Sequence, residues 1–375
     1  MPELSKIWLS SPHMGGDEQK FVKEAFDTNW IAPLGPNVTF FEKAISDYVN
    51  DNVYVAALSS GTGAIHLALE ILGVSNGDDV ICQTFTFSGS ANPIKYLGAN
   101  PVFVDSEKET WNISPELLEI AIKDGIENGK KPKAIIAVHL YGMPYKVNKI
   151  KEVADKYNVP VIEDSAEALG SSVNNLKCGS FGTIGIFSFN GNKIITTSGG
   201  GALIAHDEEI KNKAVFLATQ AREEAPHYQH NVVGYNYRMS NVLAGIGRGQ
   251  MLVLDDRVSA RRSNYQFYYD NLHSIKEIEF LNEPEGYYSN RWLSCILTPS
   301  FEIREKIRLA LLEENIESRP LWKPMHLQPV FKDCKSYMDG TSENLFERGL
   351  CLPSGSNLEQ KDLIRVVNKI KSQFL

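Results

Sequence analysis

Between residues 50 and 205, short β-rich apolar runs alternate with helical stretches, and this alternation constrains the fold more than any other feature. The runs are Val53–Leu58, Asp79–Cys82, Pro101–Val104, Ala134–Val138, Pro160–Glu163, Ile184–Phe189 and Ala202–Ala205. Helical patterns at Ala64–Leu72, Pro115–Asn128 and Val147–Tyr157 lie between them. The first is apolar nearly all round, which predicts a buried helix. Ser114 before Pro115 predicts a capped start with proline at the first helical position. Repeated β-α-β units imply an α/β fold, a largely parallel sheet with helices on both faces.

The texture changes near residue 240. Asn241–Asn271 reads as one long helix, open to a break at its glycines; then come a strand over Arg291–Leu297 and helices over Ile303–Glu314 and Leu358–Ser372. This predicts a large domain over residues 1–250 and a small C-terminal α/β domain over 251–375. Across the 375 residues, 38 Lys and Arg against 46 Asp and Glu give a net charge of −8. Such a balance argues against nucleic-acid binding through a basic face, but leaves room for a phosphorylated small ligand held by local donors. Five scattered cysteines, Cys82, Cys178, Cys295, Cys334 and Cys351, predict reduced structural thiols. The start of the chain lacks the apolar run of a signal peptide, and no stretch approaches the ~18 apolar residues of a membrane span. The expectation is a cytoplasmic protein without membrane insertion.

Three motifs carry chemistry. Ser59-Ser60-Gly61-Thr62-Gly63 follows a strand and opens a helix, where backbone N–H groups and hydroxyls suit a phosphate. His66 stands where a dinucleotide-binding fingerprint needs its third glycine, which weakens a dehydrogenase reading. Glu163-Asp164-Ser165-Ala166-Glu167 ends an apolar strand in acids, at the crevice edge where α/β sheets bind ligands. Asp164 there can hold a positive ring nitrogen or simply cap a helix. Phe187-Ser188-Phe189-Asn190-Gly191-Asn192-Lys193, followed by Ser198-Gly199-Gly200-Gly201, puts a lysine between two strands at that edge. A partly desolvated lysine can attack a carbonyl; the bland alternative is a hairpin with a solvated lysine. The histidines show no metal-ligand spacing, so no metal site is expected. Arg319-Pro320-Leu321-Trp322-Lys323-Pro324-Met325-His326 is a proline-stiffened run suited to an anionic or sugar ligand, or to domain packing.

In this order the motifs resemble the DegT/DnrJ/EryC1/StrS family of pyridoxal phosphate-dependent nucleotide-sugar aminotransferases, of fold type I. The resemblance spans Ser10-Ser11-Pro12-His13-Met14-Gly15-Gly16 to Leu352-Pro353-Ser354. It is narrower toward bacillosamine-pathway enzymes that aminate a UDP-linked 4-keto-6-deoxy-N-acetylhexosamine. The narrower likeness rests on Pro12–Gly16, Asn192–Thr197, Asn290-Arg291-Trp292-Leu293 and Arg319–His326. The resemblance implies that Lys193 holds pyridoxal phosphate (PLP) covalently and shuttles the substrate proton. It implies that Asp164 pairs with the ring nitrogen, that Phe87 and Ala166 cover the two ring faces, and that Glu167 lies near the phenolic oxygen. Gly61, Thr62 and Ser188 would bind the phosphate, with Asn236 reaching the phosphate of a neighbouring subunit, so a homodimer with shared sites is implied. Arg319, Trp322 and His326 fall on the substrate side.

The implied reaction moves the amino group of L-glutamate to C4 of a nucleotide-linked ketosugar, UDP-linked or alternatively dTDP-linked. Related sugar dehydratases typically carry histidine in place of the lysine; Lys193 is present here. A binding protein that kept the fold is countered by the intact set Thr62, Asp164, Ser188 and Lys193.

Overall fold

The computed structural model describes residues 5–50 and 52–374, so the extreme N-terminal residues read above for a leader lie outside it. Helices α1 (Glu18–Asp27) and α2 (Pro36–Val49) precede a strict alternation. It runs β1 (Tyr54–Leu58), α3 (Gly61–Ile71), β2 (Asp79–Gln83), α4 (Ser88–Tyr96), β3 (Asn100–Val104), α5 (Pro115–Glu127), β4 (Ala134–Val138), α6 (Val147–Tyr157) and β5 (Val161–Asp164). A short ribbon, β6 (Ser172–Val173) and β7 (Leu176–Lys177), leads to β8 (Ile184–Ser188), β9 (Gly201–Ala205) and α7 (Glu208–Ala218). Each of the seven strands expected before residue 206 appears within two residues of its sequence bounds, and Ser114 caps α5 by accepting from Leu117 N–H.

These strands form one sheet in the order β1-β9-β8-β5-β4-β2-β3, and β5 through β3 pair in parallel with their neighbours. Strand β9 alone runs against both neighbours, β1 and β8. β4 is buried along its whole length, as a strand covered on both faces must be. Because β1, β2, β4, β5 and β8 point the same way, their C-terminal ends and the N-terminal end of β9 share one edge. Chain order reverses there between the neighbours β2 and β4, the kind of edge where α/β sheets bind ligands.

The region expected as one helix is two, α8 (Asn241–Met251) and α9 (Leu254–Leu272), and the break falls at Leu252–Val253 rather than at a glycine. The glycines serve contact instead. A Cβ on Gly247 would lie 2.6 Å from the Phe41 ring of α2, and one on Gly249 would lie 2.7 Å from Glu18 N in α1. After β10 (Glu279–Phe280) and β11 (Tyr287–Tyr288), Arg291 takes φ +51°, so β12 starts only at Ser294 (Ser294–Leu297). Next come α10 (Phe301–Glu313), β13 (Arg319–Pro320), β14 (Ser336–Tyr337), α11 (Thr341–Arg348), β15 (Gly349–Leu352) and α12 (Gln360–Lys371). Strands β10-β12-β15-β13 make a second sheet, whose core joins Tyr268, Ile296, Ile307, Leu350 and Val366. Strand β14 returns to pair with β3 in the large sheet. No described helix is long and apolar enough to cross a membrane.

Candidate active site

At the shared strand edge lies a cavity of about 230 Å³, lined by Gly61, Thr62, Phe87, Asp164, Ala166, Glu167, Ser188, Lys193 and Trp322, among others. One wall is the start of α3. Ser60 caps that helix by accepting from Gly63 N–H at 2.9 Å, which leaves the first-turn N–H groups at Gly61 and Thr62 for a ligand. The helix start sits hard against the sheet: a Cβ on Gly201 would lie 2.4 Å from Gly61 N, and one on Gly61 would lie 3.0 Å from Ser188 Cβ. Side chains at these positions would push the cradle apart.

Asp164 ends β5 and is buried. Its Oδ2 accepts from Ser90 Oγ at 2.6 Å and its Oδ1 from Ala166 N–H at 3.1 Å. Ser90 is itself 2.8 Å from Thr86 Oγ1, so the start of α4 braces the carboxylate. Lys193 lies in the turn between β8 and β9, its side chain 12% exposed, with Nζ 3.3 Å from Glu167 Oε1. The other oxygen of Glu167 accepts from Tyr141 N–H at 2.7 Å. Burial pushes the Glu167 carboxyl up, opposed by the Lys193 charge. The lysine is therefore not the solvated hairpin residue of the bland reading.

Beneath Asp164, the neighbouring Glu163 faces the other way. It accepts from Ser165 Oγ and from the N–H groups of Gly179, Phe181 and Gly182, and it meets His139 Nε2 at 2.7 Å. Cys178 completes a buried group of metal-ligand types, but the Glu163 oxygens are already engaged by these donors. A larger groove of about 690 Å³ beside Trp111, Phe280 and Arg348 carries no comparable set, since Arg348 pairs with Glu279.

The model of the DegT/DnrJ/EryC1/StrS aminotransferase family matches residues 12–371. The chain belongs to this family. It is 50% identical over 373 residues to the putative pyridoxal phosphate-dependent aminotransferase EpsN of Bacillus subtilis (strain 168), covering 98% of this chain and 96% of that one. It is 38% identical to the GDP-perosamine synthase of Escherichia coli O157:H7, over 99% of both. A DegT/DnrJ/EryC1/StrS aminotransferase from Brucella abortus superposes with a TM-score of 0.89 at 29% identity, covering 95% of each chain. The protein is thus a PLP-dependent aminotransferase, and its mostly parallel α/β sheet is the family's fold.

The donor set fits PLP. The α3 amides and the Ser188 hydroxyl suit a phosphate, the braced Asp164 carboxylate a ring nitrogen, and the Lys193 amine an aldehyde. Phe87, 60% exposed at the start of α4, and Ala166 both line the cavity. Trp322 also reaches the cavity, where its buried Nε1 has no partner.

Other expected residues stand elsewhere. Arg319 is exposed and pairs with Glu317 at 2.9 Å, outside the cavity. His326 is turned to Thr84 Oγ1 at 2.7 Å and to Glu343 at 3.1 Å, so within this chain it fastens its segment to the end of β2. Asn236 is exposed on the loop before α8 and does not line this chain's own cavity. Residues the motifs did not single out complete the site, Thr86, Ser90 and Tyr141, and Trp292, read only within the likeness at Asn290–Leu293, lines it too. Ser90 stands in the first turn of α4, a helix the sequence analysis did not predict, and Tyr141 carried no sequence signal.

Proposed function

We propose that this aminotransferase moves the amino group of L-glutamate to C4 of a nucleotide-linked 4-keto-6-deoxy sugar, with UDP-4-keto-6-deoxy-GlcNAc as the acceptor. The observation that carries the reading is Lys193 Nζ beside Glu167 in a cavity that the braced Asp164 also lines. PLP, when bound, supplies an electron sink for the pair left on a substrate carbon that loses its proton. Asp164 holds the proton of the ring nitrogen. Lys193 takes the α-proton of glutamate, which leaves as 2-oxoglutarate, and returns a proton to C4 of the sugar, which leaves as the amine. Phe87 and Trp322 exclude water above the reacting atoms, and the free Trp322 N–H suits a sugar or phosphate oxygen.

The likeness of Pro12–Gly16 and Arg319–His326 to the bacillosamine-pathway pattern supports the UDP-linked sugar. The 38% identity to a GDP-perosamine synthase favours a GDP-linked acceptor as the second reading. The test incubates holoenzyme and glutamate with UDP-, dTDP- and GDP-linked 4-keto-6-deoxy sugars, following 2-oxoglutarate and identifying the product by mass spectrometry and NMR. Amination of the UDP sugar alone is expected. Turnover of only the dTDP or GDP sugar overturns the choice of acceptor, and turnover of none overturns the reading.

We infer further that two copies share their sites, with Asn236 of one reaching the phosphate held by the other. Its exposure outside its own cavity supports this.

A further inference from the structure

Trp292 belongs to the C-terminal third of the chain, yet it closes over the lysine. Its ring centroid is 4.2 Å from Lys193 Nζ. Its indole N–H donates at 2.7 Å to the carbonyl of Asn192, the residue that precedes the lysine. The side chain is buried and held from both ends. Its backbone N–H donates to Asn290 Oδ1 at 2.9 Å, and its carbonyl accepts from Arg261 at 2.6 Å. Arg261 also donates to Ser10 Oγ, whose hydroxyl donates to that same Asn192 carbonyl.

The second contact of the lysine is tied into the same frame. The Asn290 amide donates to the backbone carbonyl of Glu167 at 2.9 Å while its oxygen holds Trp292. One asparagine therefore sets the spacing between the carboxylate and the ring face that flank Nζ.

We propose that Trp292 is a positioning residue for Lys193: with Glu167 it forms the resting place of the lysine amine whenever that amine is not joined to the cofactor. The inference rests on reading Lys193 as the residue that joins PLP. A lysine released in mid-cycle has a long flexible side chain and would otherwise be drawn out to water. The negative face of the indole attracts its ammonium form, and the carboxylate fixes its direction. The amine then stays within reach of the carbon it must deprotonate or rejoin, and that proximity sets the rate of return. On return in the cycle, Nζ would displace the product's nitrogen from the cofactor carbon and the amine would leave; with free PLP it would displace the aldehyde oxygen, which leaves as water.

The test uses cofactor-free protein mixed with PLP. It follows the rate at which borohydride fixes PLP to the Lys193 peptide, alongside total PLP bound and melting temperature. W292M fills the space without a π face, whereas W292F keeps a face but loses the indole donor. Capture is expected to slow about tenfold in W292M at matched PLP occupancy and to recover partly in W292F. If W292M does not fold, fluorinated tryptophans placed at 292 weaken the ring face without changing the packing, and capture should slow stepwise with fluorination. Unchanged capture in W292M, or a rate flat across the fluorinated series, overturns the proposal. Capture that falls only in proportion to lost occupancy also overturns it. Failure of the wild type to yield a modified Lys193 peptide would instead strike the assignment of Lys193 itself.

Discussion

The backbone N–H of Trp322 donates to the phenolic oxygen of Tyr141 at 2.8 Å, joining two segments 181 positions apart. Tyr141 also gives its own N–H to Glu167, from a backbone held at φ +56°. Its ring packs edge-on against Phe85 and tilted against Trp322. One residue thus ties the acid beside Lys193 to the segment that carries Trp322 into the cavity. Tyr141→Phe keeps the ring and deletes the acceptor, at a cost of about 1 kcal/mol. The expected result is a small fall in melting temperature and a rise of several-fold in KM for the ketosugar. The half-reaction with glutamate, followed by single-turnover absorbance, should change little.

Glu163 gives the fold its own acid limit. Burial pushes its carboxyl up, but His139 and the backbone N–H groups of Gly179 and Gly182 outweigh burial and hold it below the usual range. A carboxyl depressed in the folded state releases its proton more readily there than in the unfolded chain. Its stabilisation is therefore complete above the unfolded value of about 4.3, and is lost as pH falls toward the folded value. Glu163→Gln turns an amide N–H₂ toward existing donors and should cost about 3 kcal/mol at pH 7. Denaturant titrations from pH 7 down to pH 3 should show the gap between wild type and variant narrowing below about pH 4.3.

Asp105 plays a similar part between the two sheets. Buried at the end of β3, it accepts from Ser106 and Ser342 N–H on one oxygen and from Asp339 and Gly340 N–H on the other. It thereby caps α11 from more than 200 positions away. Asp105→Asn keeps one acceptor and loses the charge, a change of about 2 kcal/mol. The melting temperature should fall, and limited proteolysis should cut first between residues 327 and 340, where the chain crosses from the small sheet to β14.

The strands were legible because each is a short apolar run bounded by turn residues, a pattern that parallel burial imposes directly on sequence. Gly61, Asp164 and Lys193, read at a helix start, a strand end and a turn, do meet in one cavity, but each motif alone leaves a bland reading open and only their order along the chain resembles a family pattern. Tyr141 was not legible, since its value lies in a left-handed backbone and a contact 181 positions away. Gly247 and Gly249 looked like helix breakers, whereas α1 and α2 press on them and demand their lack of a side chain. Arg319 looked like an anion ligand because sequence shows its charge and hides Glu317, two residues earlier, as its partner.

The sharing of sites between two copies has a test that turns on Lys193 and Asn236 together. Lys193→Ala alone should lower amine transfer by at least about 10²–10⁴-fold, the range general acid–base catalysis contributes. Asn236→Ala alone should lower PLP affinity, read from absorbance during dialysis. Co-expressed, the two variants form mixed pairs in which one site keeps both a lysine and a partner asparagine. With random assortment half of the pairs are mixed, and each has one working site, so activity should return to about a quarter of the wild type. Were Asn236 to serve its own chain's cofactor, every site in a mixed pair would lack one of the two residues, and activity would stay at the level of the single variants.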